Sequence, residues 1–163
     1  MTFRGHCIFA LASIILAKKI NLSTSFEDAE WGIVIAGALL SCLLPDIDHP
    51  KSFISQRFKT FFFFPSFILN HRGFTHSILA VILYGWLIHY FFPLEKISYQ
   101  GFQDSLIIGY VSHLVADILT PSGIPLLWPY QWRCRLPLLQ SKSPTIEIFF
   151  CVLCLIYAII IVS

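Results

Sequence analysis

The chain has 163 residues, of which 56% are hydrophobic and 12% charged, and its mean hydropathy is +0.74. An average soluble domain carries about 25% charged residues, so this composition leaves too little polar surface to cover a globule in water and argues against a soluble protein. A net charge of only +2 argues against a general nucleic-acid-binding surface. Five Cys, an odd number and mostly inside apolar runs, do not make a secreted disulfide framework. The length fits one domain, residues 1–163, and the expected fold is all-α: a polytopic helical membrane protein with four to five transmembrane helices.

The first apolar stretch, Phe3 to Ala17, ends at Lys18-Lys19. Arg4 ahead of a short apolar run resembles a signal peptide, but a Lys pair stands where small residues would mark cleavage, so it reads as a retained helix. Trp31 to Leu44 is the second span and stops at Pro45; Phe74 to Phe92 is the third and stops at Pro93. Ser105 to Leu119 is the fourth, ended by Pro121, and Ile146 to Val162 is the last. Between the second and third, Phe61 to Phe64 followed by Pro65 is apolar but short, which suits an interfacial or re-entrant piece. Trp128, Tyr130 and Trp132 lie among Pro121, Pro125, Pro129 and Pro137, a stiffened aromatic loop of the kind found at a headgroup boundary. Five crossings place Arg4, Lys51, Arg57, Lys59, Arg72, Arg133, Arg135 and Lys142 on one side and Lys18, Lys19 and Lys96 on the other. The basic side is expected to be cytoplasmic, with the N-terminus inside.

Polar groups inside spans are costly and ask for a reason. Here they are His and Asp, gathered in four places. The first helix carries His6; the second runs into Asp46 and Asp48; the third is entered through His71, Arg72, Thr75 and His76; the fourth holds His113 and Asp117. Residues four apart share a helix face, so His113 and Asp117 can point at one spot. Asp46 and Asp48, two apart just past Pro45, can approach one or two cations, and His76 is expected in the first turn of the third helix with Thr75 as its N-cap. In the five-span order all of these fall at the cytoplasmic end, which a site shared between helices requires and scattered histidines do not.

Each residue also has a plainer role. A lone His near a helix end is commonly interfacial, His113 and Asp117 can form a buried hydrogen-bonded pair or part of a proton relay, and Asp46 and Asp48 can be solvated charges. His49, in a loop before Pro50, and His89, near the opposite end of its span, fit the plain role best. Taken jointly, the donor types favour a divalent metal, Zn before Mn or Fe, with one or two ions per chain. Arg72 at a helix N-terminus suits an oxyanion or a positive-inside anchor equally. Cys151 and Cys154 have redox spacing but lack polar neighbours, so they read as packing residues, as do Cys7 and Cys42.

The segments Leu43 to Pro50, His71 to Ser77 and Gly109 to Asp117 resemble the motifs of the YdjM family of bacterial inner-membrane proteins, described as LexA-regulated, membrane-bound metal-dependent hydrolases. The likeness begins at Gly5-His6, runs through Leu119-Thr120-Pro121 and Pro125 to Pro129, and reaches Arg133 and Arg135; the last span matches least. The resemblance implies a multi-pass plasma-membrane protein of the SOS response with hydrolase activity. Regulation by LexA would act on the gene and gives no reason to expect DNA binding. The residues and the resemblance lead to one expectation: metal ligands His6, Asp46, Asp48, His71, His76, His113 and Asp117, with Asp48 as base and Arg72 stabilising negative charge. The bond cleaved would be a phosphoester or acyl bond of a lipid-like substrate at the cytoplasmic leaflet. The alternatives are a non-enzymatic membrane protein that uses the same residues to sense or transport a metal or protons, or one that uses them only for helix packing.

Overall fold

The structure is a computed structural model that describes residues 1–26, 28–48, 73–91, 97–130, 132–136, 138–139 and 143–161, with 47, 48 and 97–100 described by backbone only. Among these residues the fold is all-helical: α1 (Phe3–Lys19), α2 (Trp31–Ser41), α3 (Ile78–Phe91), α4 (Ile97–Ile118) and α5 (Pro144–Ile160), with 3₁₀ turns at Thr24–Phe26 and Pro45–Asp48. An isolated antiparallel bridge joins Ile124 to Cys134. Among the described residues no helix is long and apolar enough to cross a membrane.

Helix α4, at 22 residues, starts earlier than the expected Ser105 because the polar run before it is helical and useful: Asp104 accepts a 2.5 Å hydrogen bond from Ser23 at the foot of α1. The Lys18-Lys19 pair belongs to α1, where Lys18 donates to the carbonyls of Phe26 and Ala29 and so ties the 3₁₀ turn back to the helix. Helix α2 stops at Ser41, three residues short of the expected Leu44, and the chain turns into Pro45.

Helix α4 lies at the centre, packed on α1, α2 and α3, while α5 packs on α1. The α2–α4 crossing is made by glycine. A Cβ added at Gly109 would enter the backbone of Ala38, and one at Gly37 would overlap Ser105 and Phe102. Two backbones approach this closely only where side chains are absent, the usual device for helix association in lipid. One core forms around Ile14, Phe26, Val34 and Ala38, and a second around Ala80, Tyr110, Leu114 and Ile124. The outer faces of α3 and α5 remain apolar: Ile82, Trp86, Tyr90, Phe149, Tyr157 and Ile160 are all at least 60% exposed. By contrast, the interior holds His6, Ser41, His76, Ser105, Ser112, His113 and Asp117. Exposed apolar faces of this extent mark a contact with another protein or with a membrane.

Tyr110 fixes the segment ahead of α3 by donating to the Thr75 carbonyl at 2.6 Å. Tyr110→Phe removes that donor and is expected to lower stability by about 1 kcal/mol, read as a fall in detergent-unfolding midpoint with little change in metal content.

Candidate metal centre

Four pieces of chain meet at one end of the bundle. Thr2 caps α1, its Oγ1 accepting from Gly5 N at 3.2 Å, which places His6 in the first turn, 2% exposed. The 3₁₀ turn after α2 presents Asp46, whose side chain is 27% exposed. His76 sits in the turn ahead of α3 and is fully buried. The last turns of α4 supply His113 and Asp117, 0% and 2% exposed.

Their donor atoms form a closed ring. His76 Nε2 is 3.8 Å from Asp46 Oδ1 and 3.7 Å from Asp117 Oδ2; His113 Nε2 is 3.7 Å from Asp46 Oδ1 and 3.8 Å from Asp117 Oδ2. Two triads, His76/His113/Asp117 and His6/Asp46/His113, each have all their donor atoms within 4.8 Å of one another. Ligands about 2.1 Å from a tetrahedral ion lie about 3.4 Å apart, so each of these four His–Asp edges is a few tenths of an ångström longer than shared coordination would set it. The buried Nε2 of His113 has no hydrogen-bond partner among the described residues, whereas buried polar atoms are normally satisfied. Its other nitrogen, Nδ1, lies 2.7 Å from the Cys42 carbonyl oxygen, a bond that turns Nε2 toward the ring. His76 Nδ1 is held in the same way, 3.0 Å from Thr75 Oγ1.

His6 stands beside the ring rather than in it. It stacks on His113 with centroids 3.8 Å apart, and its Nε2 lies 3.4 Å from the second Asp117 oxygen. That oxygen also meets the Met1 ammonium at 2.6 Å, so a buried carboxylate has cationic compensation where it needs it. His6 is therefore placed to orient Asp117, and with Asp46 and His113 it makes a second candidate ligand triad.

Of the residues picked out by sequence, His6, Asp46, His76, His113 and Asp117 come together. Asp48 lies in the 3₁₀ turn with Asp46, where the backbone alone is described. His71, Arg72 and His49 lie outside the described residues, as does the Phe61 to Phe64 segment. His89 is exposed on the last turn of α3, away from the cluster. One local assignment is corrected: His76 precedes α3 instead of lying in its first turn, and the cap is Ser77, not Thr75, because Ser77 Oγ accepts from Ala80 N at 3.2 Å, the N-cap to N3 geometry. Thr75 is freed to hold His76. Sequence reasoning also missed the Cys42 carbonyl, which no side-chain pattern announces, and the contact from Met1.

The profile of the YdjM inner membrane protein family matches residues 1–163. Inner membrane protein YdjM of Escherichia coli (strain K12) is 40% identical over 170 residues, covering 98% of this chain and 82% of that protein, and the Shigella flexneri protein of the same name aligns to the same extent. The uncharacterized protein YvsG of Bacillus subtilis (strain 168) is 36% identical over 143 residues, 88% of this chain and 82% of its own length. No solved structure matches.

Proposed function

The chain belongs to the YdjM family of inner membrane proteins, and from that membership and the buried donor ring we propose that it is a multi-pass protein of the bacterial inner membrane that acts as a metal-dependent hydrolase. The observation that carries this reading is the four-edged ring of His76, His113, Asp46 and Asp117 atoms with 3.7 to 3.8 Å edges, in which the buried His113 Nε2 has no hydrogen-bond partner among the described residues. Two imidazoles and two carboxylates are a donor set suited to Zn, and also to Mn or Fe. Helices of 17 residues span about 25 Å at 1.5 Å per residue, short of a hydrocarbon core of about 30 Å. Crossing then relies on local thinning and on flanking residues that snorkel, and the apolar outer faces of α3 and α5 supply the lipid-facing surface.

A bound divalent cation supplies Lewis acidity that makes hydrolytic chemistry accessible near neutral pH. His76, His113 and Asp117, all buried, would hold it. Asp46, the one partly exposed member, marks the side from which substrate and water arrive. Asp48, next in the same turn, is assigned the role of base, and Arg72 the stabilisation of negative charge on a phosphoester or acyl group. The substrate is lipid-like and reached from the cytoplasmic leaflet, with control of the gene by LexA in the SOS response. Pure helix packing would leave Asp46 remote from His113, yet the two are 3.7 Å apart. A transport path would continue inward through charged groups, whereas the next buried polar side chains along α2 and α4 are the uncharged Ser41, Ser105 and Ser112.

The test is turnover of amphiphilic phosphoesters and acyl esters by metal-loaded protein in detergent. Hydrolysis should stop with a chelator, return with Zn²⁺ or Mn²⁺, and fall by about 100-fold or more in Asp46→Asn. A rate indifferent to chelator and to that substitution contradicts the proposal.

A further inference from the structure

The chain after α4 forms a braced hairpin. Ile124 N donates to Cys134 O at 3.1 Å and Cys134 N to Ile124 O at 2.9 Å. Gly123 makes the closure possible: its φ is +57°, and a Cβ there would come within 2.9 Å of Arg135 Cβ and 2.6 Å of Cys134 O. The base is tied to the end of α4 by Leu136 N to Ile118 O at 2.8 Å and Leu139 N to Leu119 O at 3.1 Å, and to α3 by Ile78 N to Leu126 O at 2.9 Å. Trp128 is steadied edge-to-face against Phe74, 5.5 Å between centroids.

A loop this firmly held would be expected to turn its apolar residues inward. Instead Tyr130, Trp132 and Leu138 are 76%, 70% and 69% exposed, and Leu127 and Trp128 are exposed as well. Arg133 and Arg135, both exposed, flank the bridge residue Cys134, and Arg133 donates to the Ser122 carbonyl at 3.4 Å. From Ile118 to Ser143 there is no Asp or Glu to neutralise them. Amphipathic aromatics beside guanidinium groups that have no ion pair among the described residues match one surface, the interface of a bilayer that carries phosphate-bearing anionic lipids.

We propose that this hairpin is a binding site for anionic phospholipid headgroups. Arg133 and Arg135 engage the lipid phosphate, while Trp128, Tyr130 and Trp132 seat themselves at the level of the glycerol backbone. The inference rests on membership of an inner-membrane family and not on the metal reading: lipid retention and metal content are separate readouts, so either can fail alone. Because the hairpin follows directly on Asp117, it anchors the donor cluster's end of the bundle at an anionic surface.

Native mass spectrometry of the detergent-purified full chain, with phosphatidylglycerol and phosphatidylcholine in competition, tests it. The unaltered chain should retain phosphatidylglycerol in preference, and Arg133→Ala/Arg135→Ala should reduce that preference roughly tenfold or more. Arg133→Lys/Arg135→Lys should keep most of it, and Lys19→Ala, at the other end of α1, should leave it unchanged. An unchanged preference in the double Ala variant, or displacement of the lipid by inorganic phosphate, overturns the proposal. A second measurement does not depend on the Arg variants folding: in Trp31→Phe/Trp86→Phe, the emission of Trp128 and Trp132 should be quenched by phosphatidylglycerol brominated near the headgroup, and absence of quenching overturns the assignment.

Discussion

Asp117→Asn is expected to weaken divalent-metal binding by about 100-fold or more, measured by elemental content after dialysis and by titration with Zn²⁺. Perturbing an outer-shell partner costs a metal site roughly 10- to 100-fold, and in the proposed site Asp117 is a direct ligand. One of its oxygens lies 3.7 and 3.8 Å from the His76 and His113 nitrogens, and the other faces His6 and the Met1 ammonium. The amide is nearly isosteric but removes the charge for which those groups are arranged. Asp104→Asn, at the opposite end of the same helix and bonded to Ser23, is the control and should leave metal content unchanged. Equal metal retention by the two variants would remove Asp117 from the centre.

Gly109→Ala should lower stability by about 1 to 3 kcal/mol, the range for overpacking a tight interior. The added methyl would enter the Ala38 backbone, so α2 and α4 must part; no flexible side chain can give way. Gly109 is one turn before His113, and Ala38 is one turn before Cys42, whose carbonyl orients that histidine at 2.7 Å. Parting the helices therefore also disturbs the donor ring, and metal affinity should fall with stability. Gly32→Ala, in the same α2 but with nothing within 4 Å of the new methyl, should be neutral or slightly stabilising. If Gly109→Ala unfolds at the same denaturant concentration as the parent chain, the close approach does not hold the site together.

The composition and the order of apolar runs made the helical architecture legible, because a chain with 12% charged residues has few other folds open to it. The convergence of His6, Asp46, His76, His113 and Asp117 was legible for a related reason: in so apolar a chain each of these residues needs a partner, and alternating helix directions bring them to one end. Helix limits were less legible. Hydrophobicity marks where a helix is apolar, not where its hydrogen bonds continue, so the polar start of α4 and the Lys pair of α1 fell outside the expected spans. Ser77 and Thr75 were exchanged because two hydroxyl residues flank His76 and both are good caps; only the geometry shows which one reaches the amide of Ala80. The orientation of His113 by a carbonyl leaves no trace in residue identity at all.

The hairpin gives the same lesson in reverse. Its aromatics were expected as an interfacial loop and are exposed, but the Gly123 closure and the pairing of Ile124 with Cys134 depend on long-range backbone bonds that no local pattern encodes. Those bonds turn a set of exposed side chains into a fixed surface.

The central claim is that a divalent ion is held by imidazole and carboxylate from four separate segments. X-ray absorption at the metal edge of detergent-purified protein tests it most directly. The expected result is a bound ion with a nitrogen and oxygen shell at about 2.0 to 2.1 Å, imidazole scattering from at least two histidines, and loss of that imidazole signal in His76→Ala/His113→Ala. A protein that holds no metal even after exposure to Zn²⁺, or a shell dominated by sulfur from its five free cysteines, would contradict it.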